Sequence, residues 1–270
     1  MTAIQVENLT YSYPRNPVLR DLSFTVAPGT LLAILGPNGS GKTTLLHLLA
    51  GLLTPQFGSI RIADHALASL SVSRRAQTFS FVRQEYLPAF DFTVYETVMM
   101  GRTVRLGPFG FESPADRLAA NKALRDTDTL DLADRRLDQL SSGQRQRVFI
   151  ARALTQDTPI LLLDEPTAFL DLRHQLAIFD LLSELKAKSA KTLLLVTHDL
   201  NLAAQYADTI LYLGHNQSSF IGPVSEAMDE HRIEFFFGVR GFSGRFGSRP
   251  FFIPSSHREN NSPPPEFISH

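Results

Sequence analysis

Residues Leu31–Thr44 read LLAILGPNGSGKTT, and this stretch decides the fold. Leu31–Leu35 is a continuous apolar run, as expected of a strand buried on both faces of a sheet. The run ends at Gly36, and Gly36–Thr44 carries the spacing G-x-x-x-x-G-K-T. Lys42–Ala50 then reads as a leucine-rich helix stopped by Gly51. A strand, a glycine-rich turn and a helix N-terminus in this order make a cradle for phosphate. The glycines Gly36, Gly39 and Gly41 let successive N–H groups turn toward one anion. Pro37, Asn38 and Ser40 fill the turn, and the dipole of the helix entered through Lys42, Thr43 and Thr44 adds to the field. Lys42 brings a point charge to the β- and γ-phosphates, and the Thr43 hydroxyl is suited to ligate Mg2+. Only five of the 26 basic residues are lysine. A chance match to the pattern therefore runs at roughly 1% or less.

A second apolar run, Ile160–Leu163, is followed by Asp164 and Glu165. In open α/β sheets ligands bind beyond the C-terminal ends of the strands, where this pair falls. Asp164 is placed to hold the hydration shell of Mg2+, and Glu165 to polarise a water for attack on a γ-phosphate. Thr192–Val196 is a third buried run, with strand-like pieces at Ser59–Ile62 and Phe79–Val82. Helices are predicted over Thr93–Met100, Ala115–Asp128, Arg145–Leu154, Leu172–Lys186 and Asp199–Tyr206. Ile210–Leu213 and Ser219–Ile221 read as strands paired across Gly214–Asn216. Buried strands alternating with helices predict an α/β domain with a mostly parallel sheet. Ile4–Leu9 and Val18–Val26, with their two-residue period, add an antiparallel edge.

Composition excludes several classes. The chain has 270 residues and no cysteine, which removes disulfide scaffolds, thiolate metal sites and cysteine nucleophiles. Its 26 Lys+Arg balance 27 Asp+Glu, so there is no broad basic surface for nucleic acid. No apolar run approaches the roughly 18 residues of a membrane span, and Met1–Tyr11 has no signal-peptide pattern. These features predict a cytoplasmic protein. After Gly238 the composition shifts to Gly, Ser, Arg and Phe as far as Pro254. Asn260–Pro265, NNSPPP, predicts disorder from about residue 256.

Further motifs fall in a recognisable order. Leu140–Gln144, LSSGQ, resembles the LSGGQ signature of ATP-binding cassette (ABC) ATPases, with Ser142 in place of the first glycine. Gln84 resembles their Q-loop glutamine, His198 their switch histidine, and Ala168–Asp171 their D-loop with Asp171 at its end. Tyr13 sits where the family has its adenine-stacking aromatic, with Tyr11 as a rival. The resemblance covers about Ile4–Pro223. It implies a P-loop NTPase (ABC ATPase) core with a mostly parallel sheet, an antiparallel β edge and an inserted α-helical subdomain over about 92–144. The cassette would fill 1–238, with a C-terminal extension over 239–270. It implies ATP and Mg2+ as cofactors, with Thr43, Gln84 and Asp164 holding the metal. Lys42, Gln84, Glu165 and His198 would be the catalytic set. Two copies would face head to tail, so that Ser141, Ser142, Gly143 and Gln144 of one act in trans on nucleotide held by the other.

Among cassettes, FTVYETVMMGR (Phe92–Arg102), LDLRHQ (Leu170–Gln175) and the ending from Phe237 to Pro254 resemble importers of iron–siderophore, haem, vitamin B12 and related cargo. That resemblance implies polytopic membrane permease subunits as partners, a substrate-binding protein acting indirectly, and a place on the cytoplasmic face of the inner membrane. It also implies that Glu85–Val94, with Tyr86, Leu87, Phe90 and Phe92, forms a groove for a helix of the membrane subunit. A soluble cassette ATPase, such as one serving iron–sulfur cluster assembly, is the alternative.

Overall fold

The structure is a computed structural model that describes residues 2–83, 91–105, 111–247 and 249–255. At its centre lies β3 (Leu31–Leu35), fully buried. Parallel neighbours flank it: β8 (Thr192–Val196) on one side and β9 (Thr209–Leu213) on the other. The sheet continues through β7 (Ile160–Asp164) to β6 (Phe79–Val82), all parallel. An antiparallel β10 (Ser219–Pro223) closes the other edge. Side chains alternate across β3 and so divide the core in two. Leu32 and Ile34 join α1 (Lys42–Leu49) and the apolar sides of β1 (Ile4–Tyr13), β2 (Asn16–Val26) and β4 (Phe57–Ile62). Those three strands and the short β5 (His65–Ala66) form a separate antiparallel sheet in the order β2-β1-β4-β5.

On the opposite face Leu31, Ala33 and Leu35 meet α6 (Leu172–Ser189) and α7 (Leu200–Tyr206). The same cluster runs on into the helical lobe of α3 (Val94–Met99), α4 (Pro114–Asp126) and α5 (Ser142–Gln156). Arg102, just after α3, ties the helices of the lobe to one another. Its Nε donates to Asp116 Oδ1 at 2.7 Å and its Nη1 to the Thr155 carbonyl at 3.1 Å. The Ser113 hydroxyl and amide, then Arg102, hold the Asp116 carboxyl down at about 2. This depressed carboxylate stabilises the lobe above its unfolded value near 3.9, a contribution lost as the pH falls through about 2. Among the described residues no helix is long and apolar enough to cross a membrane.

The structure departs from the sequence reading in three places. Helix α5 starts at Ser142 rather than Arg145, because Ser141 caps it. Ser141 Oγ accepts from Gln144 N at 3.3 Å while Gln144 Oε1 accepts from Ser141 N at 3.0 Å. A helix not anticipated, α2 (Val72–Thr78), opens at the Ser71 cap. The chain after α8 (Val224–Ala227) and α9 (Glu230–Phe237) ends in a hairpin, β11 (Gly241–Phe246) with β12 (Arg249–Pro254). Phe252 buries its ring with Ala204, Met228 and Ile233. Asn201 of α7 holds the strand's backbone: its Nδ2 donates to Phe252 O at 3.2 Å and its Oδ1 accepts from Phe252 N at 2.8 Å. Asn201→Ala leaves both backbone groups unpaired, at a cost of about 1–3 kcal/mol. The expected result is faster tryptic cleavage at Arg240 and Arg245, with a lower urea midpoint.

Candidate functional site: a phosphate cradle beside a carboxylate pair

The loop Gly36–Gly41 owes its path to backbone that only glycine adopts without cost. Gly41 sits at φ +98, and a Cβ there would lie 2.6 Å from Val18 Cγ1. Gly41 also caps α1 with no side-chain hydrogen bond, so the first amides of the helix face outward without a side-chain partner. Lys42 is buried, and its Nζ donates to the carbonyls of Gly36 at 2.9 Å and Pro37 at 3.0 Å. Burial lowers its pKa, while Glu165 and Asp164 pull the other way. Ser40 Oγ is buried with no hydrogen-bond partner. Outward amides, a buried ammonium and an orphaned hydroxyl suit a phosphate chain.

The cradle opens into a cavity of about 310 Å3. Its walls include Tyr13, Asn38, Gly39, Thr44 and Glu165. Asn16 and Val18 of β2 also line it, and the sequence reading missed both. The signal was the β1–β2 pairing, which sets Tyr13 opposite Asn16. Tyr13 stands on the lip, 40% exposed, with its ring edge-on to Tyr11 at 5.1 Å. Tyr11, the rival, packs partly buried beside the core and is absent from the cavity wall.

β7 brings the carboxylates to the cradle. Asp164 is 3% exposed, and its Oδ1 accepts from Thr43 Oγ1 at 3.3 Å. Burial raises its pKa, the Thr43 hydrogen bond opposing. Glu165 leaves the strand with φ +47, a left-handed conformation disfavoured for a side chain of its size. Its amide donates to Val196 O at 3.1 Å, and its Oε1 lies 2.6 Å from His198 Nε2. Thr43, Asp164, Glu165, His198 and Lys42 are thus brought together by the ends of β3, β7 and β8. Gln84 lies outside the described residues, as do Tyr86, Leu87 and Phe90. Among the described residues, none of Ser141–Gln144 lines the cavity. Those residues form the exposed or half-exposed start of α5, where Gly143 abuts the loop before α6. Asp171, the end of that loop, caps α6 by accepting from His174 N at 2.9 Å.

A cradle, a carboxylate pair, a histidine and a separate serine-glycine helix start define an ATP-binding cassette. The pattern that describes the ABC transporter family matches residues 19–168, and the chain belongs to that family. It is 38% identical over 253 residues to the achromobactin transport ATP-binding protein of Dickeya dadantii, covering 93% of each. It is 37% identical over 234 residues to the ferric enterobactin transport ATP-binding protein of Escherichia coli, covering 87% of this chain and 86% of the other. Among solved structures, an inward-facing metal-chelate type ABC transporter aligns with TM-score 0.82 and 31% identity, covering 95% of this chain and 99% of that one. A dimeric cassette in a post-hydrolysis state, bound to ADP and Pi, aligns with TM-score 0.74 and 29% identity, covering 82% and 98%.

The departure in the signature has a local explanation. Ser142 is the first residue of α5 and is exposed, so its Cβ meets no obstacle. Gly143 is different: a Cβ there would lie 3.0 Å from Phe169 O and 3.2 Å from Leu170 Cδ2. Ser142→Gly is expected to change ATP turnover by less than about threefold, since a glycine there costs no more than about 1 kcal/mol. Gly143→Ala is expected to lower it by about tenfold or more by displacing that loop. Steady-state phosphate release measures both.

Proposed function

We propose that the chain is the ATP-hydrolysing subunit of an importer for metal-chelate cargo such as an iron–siderophore, working as a head-to-tail pair beneath polytopic permease subunits. One observation carries the reading. The hydrolytic groups converge in a chain that matches siderophore-type transport relatives over 77% to 93% of its length, while its signature stands outside its own cavity. A chain of this kind needs a second copy to complete each site, and dimeric cassettes of the same fold support that arrangement. The relatives' transport roles favour the importer over a soluble cassette ATPase. A substrate-binding protein would deliver the cargo on the far side of the membrane.

Lys42 and the amides of the loop hold the β- and γ-phosphates, and Tyr13 stacks on adenine. Glu165 accepts a proton from the attacking water as the water oxygen bonds to the γ-phosphorus and the bond from that phosphorus to the β–γ bridging oxygen breaks, so that ADP and phosphate leave, and His198 keeps that carboxylate in line. Ser141 and Gly143 act on the partner's nucleotide. Mg2+, when bound, neutralises charge on the phosphate oxygens. Thr43 and Asp164 would hold it, together with Gln84. Glu165→Gln keeps the shape but removes the base. The expected outcome is ATP binding at unchanged affinity, turnover lowered by about 10²–10⁴-fold, and an ATP-dependent dimer on size exclusion with light scattering. Undiminished turnover would overturn the assignment.

The permease contact fits a groove of about 600 Å3 between the end of α1, α2, β6 and α5. Phe79, Phe81 and Phe149 form its floor, and Leu52 and Val72 stand exposed on its rim. Arg83, which also lines it, precedes the segment named for docking. Phe92, at the other end of that segment, accepts from Leu137 N at 3.1 Å through its carbonyl and so anchors to the lobe. Val72→Glu is expected to abolish co-purification with the permease and uptake of radiolabelled ferric siderophore. ATPase activity of the isolated chain should stay within about twofold, as the site is exposed and a surface change costs little.

A further inference from the structure

The segment Leu170–Gln175 runs from the end of the loop after the carboxylate pair into the first turn of α6, and two of its side chains have no part in the reading above. Gln175 Nε2 donates to two backbone carbonyls, Leu170 O at 3.1 Å and Thr167 O at 3.3 Å. Both belong to the turns that follow Glu165, which are closed by Ala168 N to Glu165 O and Leu170 N to Thr167 O, each at 3.2 Å. The Gln175 side chain also lines a cavity of about 120 Å3 shared with Glu165, Thr167 and His198. His174 works at the other end of the loop. Its Nδ1 lies 2.8 Å from Asp171 Oδ1, and its Nε2 points at Asp128 Oδ2 from 3.9 Å. Asp128 is gripped in turn by Arg147 of α5, through its carbonyl at 2.5 Å and its carboxylate at 3.1 Å.

The backbone of Glu165 gives these contacts their importance. A glutamate at φ +47 stays there only while its surroundings over-determine it. Released, the residue relaxes to ordinary helical or extended angles, and its carboxylate swings away from His198. Gln175 grips the carbonyls that prevent this, while Gly143 and the Asp128–Arg147 pair brace the loop against the signature helix.

We propose that Gln175 and His174 are positioning residues for hydrolysis, which hold Pro166–Asp171 against Glu165 on one side and against the signature helix of the same chain on the other. The proposal rests on the assignment of Glu165 as base. Its test is a split between turnover and binding in the full-length chain. Gln175→Met keeps length and helix preference but cannot donate, and Gln175→Glu turns an acceptor toward two carbonyls. Both are expected to lower kcat by about 10–100-fold, as small misplacements of reacting groups do. The dissociation constant for ATP should hold near that of the parent chain, and the lost hydrogen bonds should lower the melting temperature only by a few degrees, leaving the variants folded at the assay temperature. In a cycle of His174→Ala with Asp128→Ala, the double variant should lose no more kcat than the worse single one.

Unchanged kcat in both Gln175 variants would overturn the proposal. So would a kcat loss matched by an equal loss of ATP affinity or of folded protein, or strict additivity in the cycle. Glu165→Gln run alongside separates the two failures. If it abolishes turnover while the Gln175 variants behave as the parent, the positioning role alone falls. If it leaves turnover intact, the assignment of the base falls first.

Discussion

Three charges share the C-terminal edge of the central sheet: the Lys42 ammonium and the carboxylates of Asp164 and Glu165. Lys42 and Asp164 are buried, and burial disfavours the charged form of each. Their proximity offsets that cost, as does the ring of neutral partners: two loop carbonyls for the lysine, the Thr43 hydroxyl for the aspartate. The sheet makes this possible. β3 and β7 are separated by the single strand β8, so the residues that follow them emerge side by side. Moving either strand by one position would leave a buried ion without its counterpart, which is far more damaging than the loss of an apolar contact.

The same arithmetic explains what the amino-acid order revealed and what it hid. Buried parallel strands are written as unbroken apolar runs, so β3, β7 and β8 were readable, and so was the loop whose glycines have no substitute. Helix α2 was not, because VSRRAQT buries no side chain and its only local mark is the Ser71 cap. The start of α5 was masked by SSG, a composition typical of turns; the reciprocal Ser141–Gln144 cap makes it helical. β11 and β12 were obscured by glycine and serine, and their fold depends on Asn201 and Ala204 some fifty residues earlier. Asn16 and Val18 were invisible as site residues for the same reason: a turn, not a motif, carries them to the cavity.

The left-handed backbone at Glu165 could not be read from residue type at all. Glutamate is a poor choice for that conformation, and nothing adjacent in sequence announces it. It follows from β7 ending at Asp164, from the amide of Glu165 reaching across to Val196 O, and from the turns beyond. In the proposed role of Glu165 as base, chemistry overrides propensity: that role needs a carboxylate, and the surrounding loop supplies the restraint that glycine would otherwise have provided through its freedom.

The hairpin at the end of the described chain has a consequence of a different kind. Asn201 grips Phe252 from the first turn of α7, three residues after His198. Those two hydrogen bonds and the buried Phe252 ring couple the hairpin to α7, so a tilt of the helix beside the histidine would be carried outward to Pro254 as a longer sweep. A dye attached at Ser255 would act as the tip of a pointer whose pivot lies beside the site, turning a displacement too small to see there into a measurable change of distance.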